Sequence, residues 1–166
     1  MKNETKGIAP LIIAIVVIVV AAGVGVGVFV ATRGGTGGGG GGGGGDIGSA
    51  TNLSFDVTYA GQSVSYKVKD IGSTNMKIRV GMTVSGYDMI YIMDGAAQTV
   101  WVYTAGAWMD MSSTFADTWG TYDTMFSGYQ TDLAGVTGTT WTSPDGSVTI
   151  SNISTATIPD SEFTHG

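Results

Sequence analysis

Few side chains in this sequence are of the types that catalyse reactions. The chain has no cysteine, and its single histidine, His165, is one residue from the end, where order is least expected. A conventional nucleophile–base pair is therefore missing. Asp117 and Asp123 are six positions apart and do not share a helix face, so a paired-carboxylate site is weakly supported. We expect a protein that is not an enzyme and uses no cofactor.

Asp110, Ser112 and Thr114 fit the DxSx[ST] pattern with which adhesion domains hold a divalent ion. The spacing places oxygen ligands on one loop, as a hard cation requires. That site, however, belongs to a larger α/β domain with more ligand loops than this chain offers. The alternative is a helix cap within a Ser/Thr run. We favour the cap and expect no metal ion.

Methionine and tryptophan are abundant after Asp46, with seven methionines and four tryptophans. Methionine adapts to irregular apolar shapes, so this composition could line a site for an acyl chain or another hydrophobic ligand. A plain hydrophobic core explains the same residues and is the alternative. The candidate ligand-binding residues are Met82, Met93, Trp101, Phe115, Trp119, Tyr122 and Phe126.

An uncharged apolar run covers residues 8–31, and nine consecutive glycines follow at residues 37–45. At roughly 1.5 Å per helical residue the run spans about 36 Å, enough to cross a hydrocarbon core of about 30 Å. Polyglycine cannot hold a helix, so it is a flexible tether. The predicted parts are a cytoplasmic signal segment (1–7), a transmembrane helix (8–31), a glycine-rich linker (32–48) and an extracytoplasmic domain (49–166).

The charge pattern orients the chain in the cell membrane. Lys2 and Lys6 precede the apolar run and Arg33 follows it, which favours a cytoplasmic N-terminus and an extracytoplasmic C-terminal domain. From Asp46 onward, twelve carboxylates outnumber four cations. Such a domain cannot neutralise phosphates, so we expect no nucleic-acid partner.

The triplets beginning at Asn52 and Asn152 match the N-glycosylation acceptor pattern, which matters only if the domain is exported.

The stretch Lys6-Gly7-Ile8-Ala9-Pro10-Leu11-Ile12 resembles the class III signal peptides of archaeal pilins and pilin-like surface proteins. The resemblance implies cleavage between Gly7 and Ile8; an ordinary signal anchor is the alternative.

Gly23 and Gly27 form a GxxxG spacing that could bring two membrane helices together, although glycine is common in such helices. Pilin helices usually continue into the head domain, whereas here glycines interrupt the chain.

From Asn52 the apolar residues recur with period two, which predicts an antiparallel meander of half-buried strands. The predicted strands are Leu53 to Tyr59, Val64 to Val68, Met76 to Val84, Tyr87 to Asp94, Thr99 to Thr104 and Ala107 to Met111, and a closing hairpin joins residues 136–143 to 146–153. Between them, aromatic residues recur every three or four positions from Ser112 to Leu133, which predicts one amphipathic helix. Ser112 or Ser113 could cap this helix, and Gly128 could end it early.

The strand segments from Tyr87 to Ser113 and the closing Ile158-Pro-Asp-Ser-Glu-Phe163 resemble the LolA-like lipoprotein-carrier superfamily. The resemblance implies an α+β domain in which a curved antiparallel β-sheet, a half-barrel, wraps one helix and shelters a lipid or acyl group. Two functions remain open. One is a membrane-tethered extracytoplasmic binding module for lipid, a lipidated protein or another hydrophobic group; the other is a pilin-like subunit or adhesin of an archaeal cell-surface structure.

Overall fold

The domain after the glycine-rich linker is the part that can be described. The computed structural model describes residues 47–84, 86–134, 136, 138–143 and 146–166. Four predicted features lie outside these residues and stay predictions. They are the signal segment, its Gly7–Ile8 processing site, the transmembrane helix with Gly23 and Gly27, and most of the linker. Within the described ranges, no helix combines the length and apolar character needed to cross a membrane.

An open antiparallel sheet of eight strands, in the order β6-β5-β4-β3-β2-β1-β8-β7, forms the body of the domain. The strands are β1 (Asn52–Tyr59), β2 (Gln62–Lys69), β3 (Lys77–Val84), β4 (Tyr87–Asp94), β5 (Thr99–Thr104), β6 (Ala107–Asp110), β7 (Trp141–Thr142) and β8 (Val148–Ser154). In β1, Leu53, Phe55 and Val57 are buried and alternate with more exposed polar residues, because successive side chains of a strand point to opposite faces. The predicted antiparallel meander is confirmed.

One helix, α1 (Phe115–Leu133), packs on the inner face of the sheet. Its buried stripe of Tyr122, Phe126, Tyr129 and Leu133 has the three-to-four-residue spacing of one helix face. The opposite face is rich in hydroxyls that weaken helix propensity. Four of them donate to the carbonyl one turn earlier: Thr121 to Asp117, Thr124 to Gly120, Ser127 to Asp123 and Thr131 to Ser127.

Both ends of α1 differ from the prediction. Ser112 lies in a 3-10 turn before the helix (Ser112–Thr114), and the N-cap residue is Thr114, whose side chain makes no capping hydrogen bond. Gly128 lies inside the helix, because packing of the flanking aromatic residues against the sheet outweighs the propensity cost of one glycine, about 1 kcal/mol.

The closing hairpin forms, but its first strand is shorter than predicted. Only Trp141 and Thr142 pair with β8, and the Gly146 N–H donates to the Ser143 carbonyl at 2.8 Å to close the turn. The Val136 N–H donates to the Leu133 carbonyl at 2.9 Å, so Val136 belongs to the turn that ends α1. Gly138 has φ +109°, outside the strand region. These two residues break the predicted alternation.

The outer face of the sheet is covered by the C-terminal segment, residues 158–165, which we call the C-terminal clasp. Ile158 and Phe163 are buried against Ile92 of β4. At the end of the clasp, the His165 ring stacks on Trp101 of β5 with 3.8 Å between ring centroids. The clasp therefore crosses several strands and covers the apolar side chains that β4 and β5 present to this face.

Salt bridges hold the clasp to β2 and β3. Lys67 pairs with Glu162 at 2.8 Å, Lys69 pairs with Asp160 at 2.7 Å, and the Arg79 guanidinium lies 3.8 Å from Glu162. The fourth cation after Asp46 is Lys77, which pairs with Asp94 at 3.1 Å. All four basic residues of the domain therefore have carboxylate partners.

Candidate functional site

Aromatic rings fill the space between the C-terminal half of α1 and strands β1 and β2. Phe126 and Tyr129 of the helix pack against Phe55 and Tyr66 of the sheet, with ring centroids 4.9–6.4 Å apart. These distances are typical of edge-to-face and offset aromatic packing. All four side chains are at most 1% exposed. This half of the helix–sheet interface is closed.

The N-terminal half of α1 is covered less completely. Phe115 and Trp119 stack on each other with centroids 5.2 Å apart, and both are only partly buried against the core. Trp119 also lies over Gly95 in the turn after β4, where an added Cβ would come within 2.7 Å of the indole ring. The helix–sheet interface therefore tightens from the start of α1 towards its end.

A small cavity lies beneath this less tightly covered half. Its volume is about 30 Å³, which is room for one or two water molecules and far below the roughly 300 Å³ of a typical small-molecule site. The lining residues are Tyr91, Val100, Val102, Met111, Thr114, Thr118 and Tyr122. In this conformation the cavity has no space for an acyl chain.

Buried tyrosines are the main polar feature of the interior. The hydroxyls of Tyr66 and Tyr91 are buried and have no hydrogen-bond partner among the described residues, which costs about 1–3 kcal/mol each. Burial raises the pKa of Tyr91 to about 12 and raises that of Tyr66. Burial, followed by the neighbouring tyrosines, raises the pKa of Tyr122. These phenols are therefore neutral at physiological pH, able to donate and to accept hydrogen bonds.

Comparison with known proteins identified no relative of this chain. No family model, curated protein or solved structure matches the chain. The resemblances to class III signal peptides and to LolA-like carriers therefore rest on the sequence motifs alone.

Most of the predicted ligand-binding residues share the inner core, but only one lines the cavity. Tyr122 is that residue. Phe126 lies in the closed half, and Phe115 and Trp119 stand at the less covered half. The remaining inner-face residues, Met82 and Met93, are buried in the same core but do not line the cavity.

Trp101 lies on the opposite face of the sheet from α1. It packs with Ile92, Ile158 and Phe163 beneath the C-terminal clasp, away from the cavity, and its part in ligand binding stays a prediction. In β5, Val100 and Val102 are buried in the inner core, and the residue between them must face outward because strand side chains alternate. Because β5 is apolar on both faces, its composition does not indicate which side chains face α1. The prediction therefore chose Trp101, the largest side chain of the strand, as a ligand-binding residue.

The prediction missed six of the seven cavity residues, namely Tyr91, Val100, Val102, Met111, Thr114 and Thr118. The period-two pattern of β4 contains the signal for Tyr91, because Met89, Tyr91 and Met93 share one face of the strand and are all buried. No comparable signal marks Thr118. Its role depends on how far α1 sits above β5, which is a tertiary distance.

Asp110 and Ser112 form a local hydrogen-bonded turn. The Ser112 N–H and hydroxyl both donate to the Asp110 carboxylate, and these bonds lower the pKa of Asp110, the hydroxyl contributing most. The Ser112 oxygen also accepts the Val100 N–H at 3.2 Å. The Asp110–Thr114 motif thus ties β6 to β5 and leads the chain into α1.

The two candidate glycosylation residues lie at β1 and β8. Asn52 begins β1, and its side-chain oxygen is buried without a partner. Asn152 is exposed within β8 at φ +54°, and its amide donates to the Asp56 carboxylate at 2.6 Å. A glycan would attach to the amide nitrogen that makes this bond, so modification at Asn152 would leave one N–H and place a sugar beside the contact with Asp56. Glycosylation at both residues stays a prediction.

Proposed function

We propose that this protein is a membrane-tethered extracytoplasmic binding module, a half-barrel that takes a lipid or another hydrophobic group between α1 and the sheet. The observation that supports this proposal best is the uneven closure of that interface. Leu133, Tyr129 and Phe126 are fully buried, whereas Trp119 and Phe115 are only partly covered. The cavity is lined by Thr114, Thr118 and Tyr122 of the same half of the helix region. The ligand would enter at the N-terminal half of the helix.

Binding requires this half of α1 to move away from β4 and β5. The cavity of about 30 Å³ would have to grow roughly ten-fold to reach the size of a small-molecule site. The start of the helix is suited to such movement, because its N-cap side chain makes no capping bond and Gly120 weakens the helix locally. Outward movement would convert Val100, Val102 and Trp119 from core residues into a ligand lining.

The membrane anchor and the orientation are parts of the same proposal. The apolar run at residues 8–31 and the glycines behind it would hold the domain near the outer membrane face, where hydrophobic ligands are concentrated. Cleavage after Gly7 would leave the anchor in place. The domain's excess of carboxylates would keep it from adhering to anionic headgroups.

The proposal can be tested on the full chain in lipid nanodiscs with 1-hexadecanol that carries a mid-chain diazirine. After irradiation, mass spectrometry should find adducts near Trp119, Met111 and Val102, and none on the outer-face residue Trp108. Thr118→Leu fills the cavity and should lower the interior labelling at least about five-fold. Thr124→Leu makes the same change on the exposed face of α1 and should leave labelling unchanged.

A pilin-like subunit or adhesin is the second candidate. Two observations favour it: aromatic rings close the C-terminal half of the helix–sheet interface, and Tyr59 and Tyr87 are 51% and 65% exposed. The β1–β2 turn follows Tyr59 directly and the β3–β4 turn precedes Tyr87 directly, so both lie at the end of the sheet opposite Asn52, where the domain begins. Absence of interior labelling in the nanodisc experiment would support this structural role over the binding module.

A further inference from the structure

The interior of the domain contains hydrogen-bonding groups but no charged ones among the residues that line the cavity. Tyr91 is 4% exposed, lines the cavity, and has a buried hydroxyl without a hydrogen-bond partner in the described part of the chain. Across the cavity, the Thr118 hydroxyl is 3.4 Å from that of Thr114, which donates to the Met111 carbonyl at 2.8 Å. The sheet and the helix thus both offer hydroxyl groups to an otherwise apolar space.

Among the residues that the structure describes, no cation is placed to meet an anionic ligand there. Lys67, Lys69 and Arg79 alternate with the buried inner-face residues of β2 and β3 and are engaged by the clasp carboxylates on the outer face. Lys77 pairs with Asp94. A carboxylate or phosphate inside would lose its hydration without gaining a counter-charge, which is strongly unfavourable.

We propose that the site selects long-chain ligands whose polar group is uncharged, such as an alcohol or an ester, and that Tyr91 makes the hydrogen bond that selects them. This inference rests on the proposed function. The ligand's neutral oxygen occupies the small cavity against the Tyr91 hydroxyl, and its hydrocarbon chain lies under the displaced N-terminal half of α1. The hydroxyl without a protein partner then gains one, and the apolar chain meets Val100, Val102 and Trp119.

The test is competition for the diazirine-hexadecanol label in the full chain in nanodiscs at about pH 9. At this pH a fatty-acid carboxylate is ionised, whereas Tyr91, with a pKa of about 12, is still protonated. We expect 1-hexadecanol to compete at least about five-fold better than hexadecane, as one hydrogen bond predicts. Palmitate should compete worse than either.

Two matched variants assign the effect to one hydroxyl. Tyr91→Phe removes the hydroxyl that lines the cavity, and it should abolish the advantage of hexadecanol over hexadecane. Tyr66→Phe removes the other buried hydroxyl without a partner, which is not part of the cavity lining, and it should leave the advantage unchanged. Loss of an unsatisfied hydroxyl should not unfold either variant.

The outcomes separate the inference from the proposed function. Equal competition by hexadecanol, hexadecane and palmitate at interior residues would overturn the inference and leave the binding module standing. An advantage of hexadecanol that survives in Tyr91→Phe would also overturn it. Absence of interior labelling by any probe would overturn both.

Discussion

Trp119 packs against the turn after β4, where Gly95 leaves room for its indole ring. A Cβ at residue 95 would lie 2.7 Å from the Trp119 ring and 3.0 Å from the Met76 carbonyl oxygen, both closer than ordinary contacts. The Gly95 N–H also donates to that carbonyl at 2.9 Å, so the backbone has little freedom to yield. Gly95 therefore fixes how closely the start of α1 approaches the sheet.

Gly95→Ala should lower the free energy of unfolding by about 1–3 kcal/mol, because overpacking forces Trp119 and its neighbours from their positions. Urea unfolding followed by tryptophan fluorescence measures the effect. Gly120→Ala is the control, since an added Cβ there meets nothing within 4 Å. That change should instead raise stability by about 0.8–1 kcal/mol, because alanine is the better helix former. Destabilisation of similar size at both positions would contradict this account of Gly95.

The clasp is the element whose stability should respond to pH. The Lys67 ammonium, by hydrogen bonding, lowers the pKa of Glu162, and Lys69 likewise lowers that of Asp160. A carboxyl whose pKa is lower in the folded state stabilises the fold above its unfolded value, roughly pH 4. This contribution is lost as the pH falls through the lower folded values. The clasp should therefore hold at pH 7 and loosen in acid.

The expected result is local release of residues 158–165 in acid before the sheet unfolds. Methyl NMR of Ile158, which is buried under the clasp, should report its exposure below about pH 4, while Val80 in the inner core keeps its native shift. Glu162→Gln should weaken the pH dependence, because the amide does not titrate. A clasp that stays bound through the transition, or one that unfolds together with Val80, would contradict the assignment.

The elements of the domain were largely predictable because their signals are local. Period-two alternation located strands β1 to β6, and the aromatic spacing located α1. The clasp contacts were not predictable in the same way: the resemblance drew attention to the Ile158–Phe163 motif, but nothing local placed it against Ile92 and Trp101. The outer-face position of Trp101 was unpredictable for the same reason, since β5 is apolar on both faces and only the packed clasp distinguishes them.

At the scale of the molecule, the acidic domain and the N-terminal cations predict an external domain. Protease added to intact cells should release a fragment that begins between residues 34 and 46, because a flexible glycine-rich linker is predicted there from the sequence. A control with permeabilised cells should give the same fragment. Full protection in intact cells that is lost on permeabilisation would reverse the predicted orientation.

We expect a hydrophobic ligand to occupy the space between α1 and the sheet, and native mass spectrometry of the full chain tests this most directly. The chain, extracted in mild detergent and incubated with 1-hexadecanol, should carry the mass of one ligand. Thr118→Leu should lose that bound mass, and Thr124→Leu should retain it. A chain that carries no added mass, or a ligand that binds equally well in Thr118→Leu, would contradict the account.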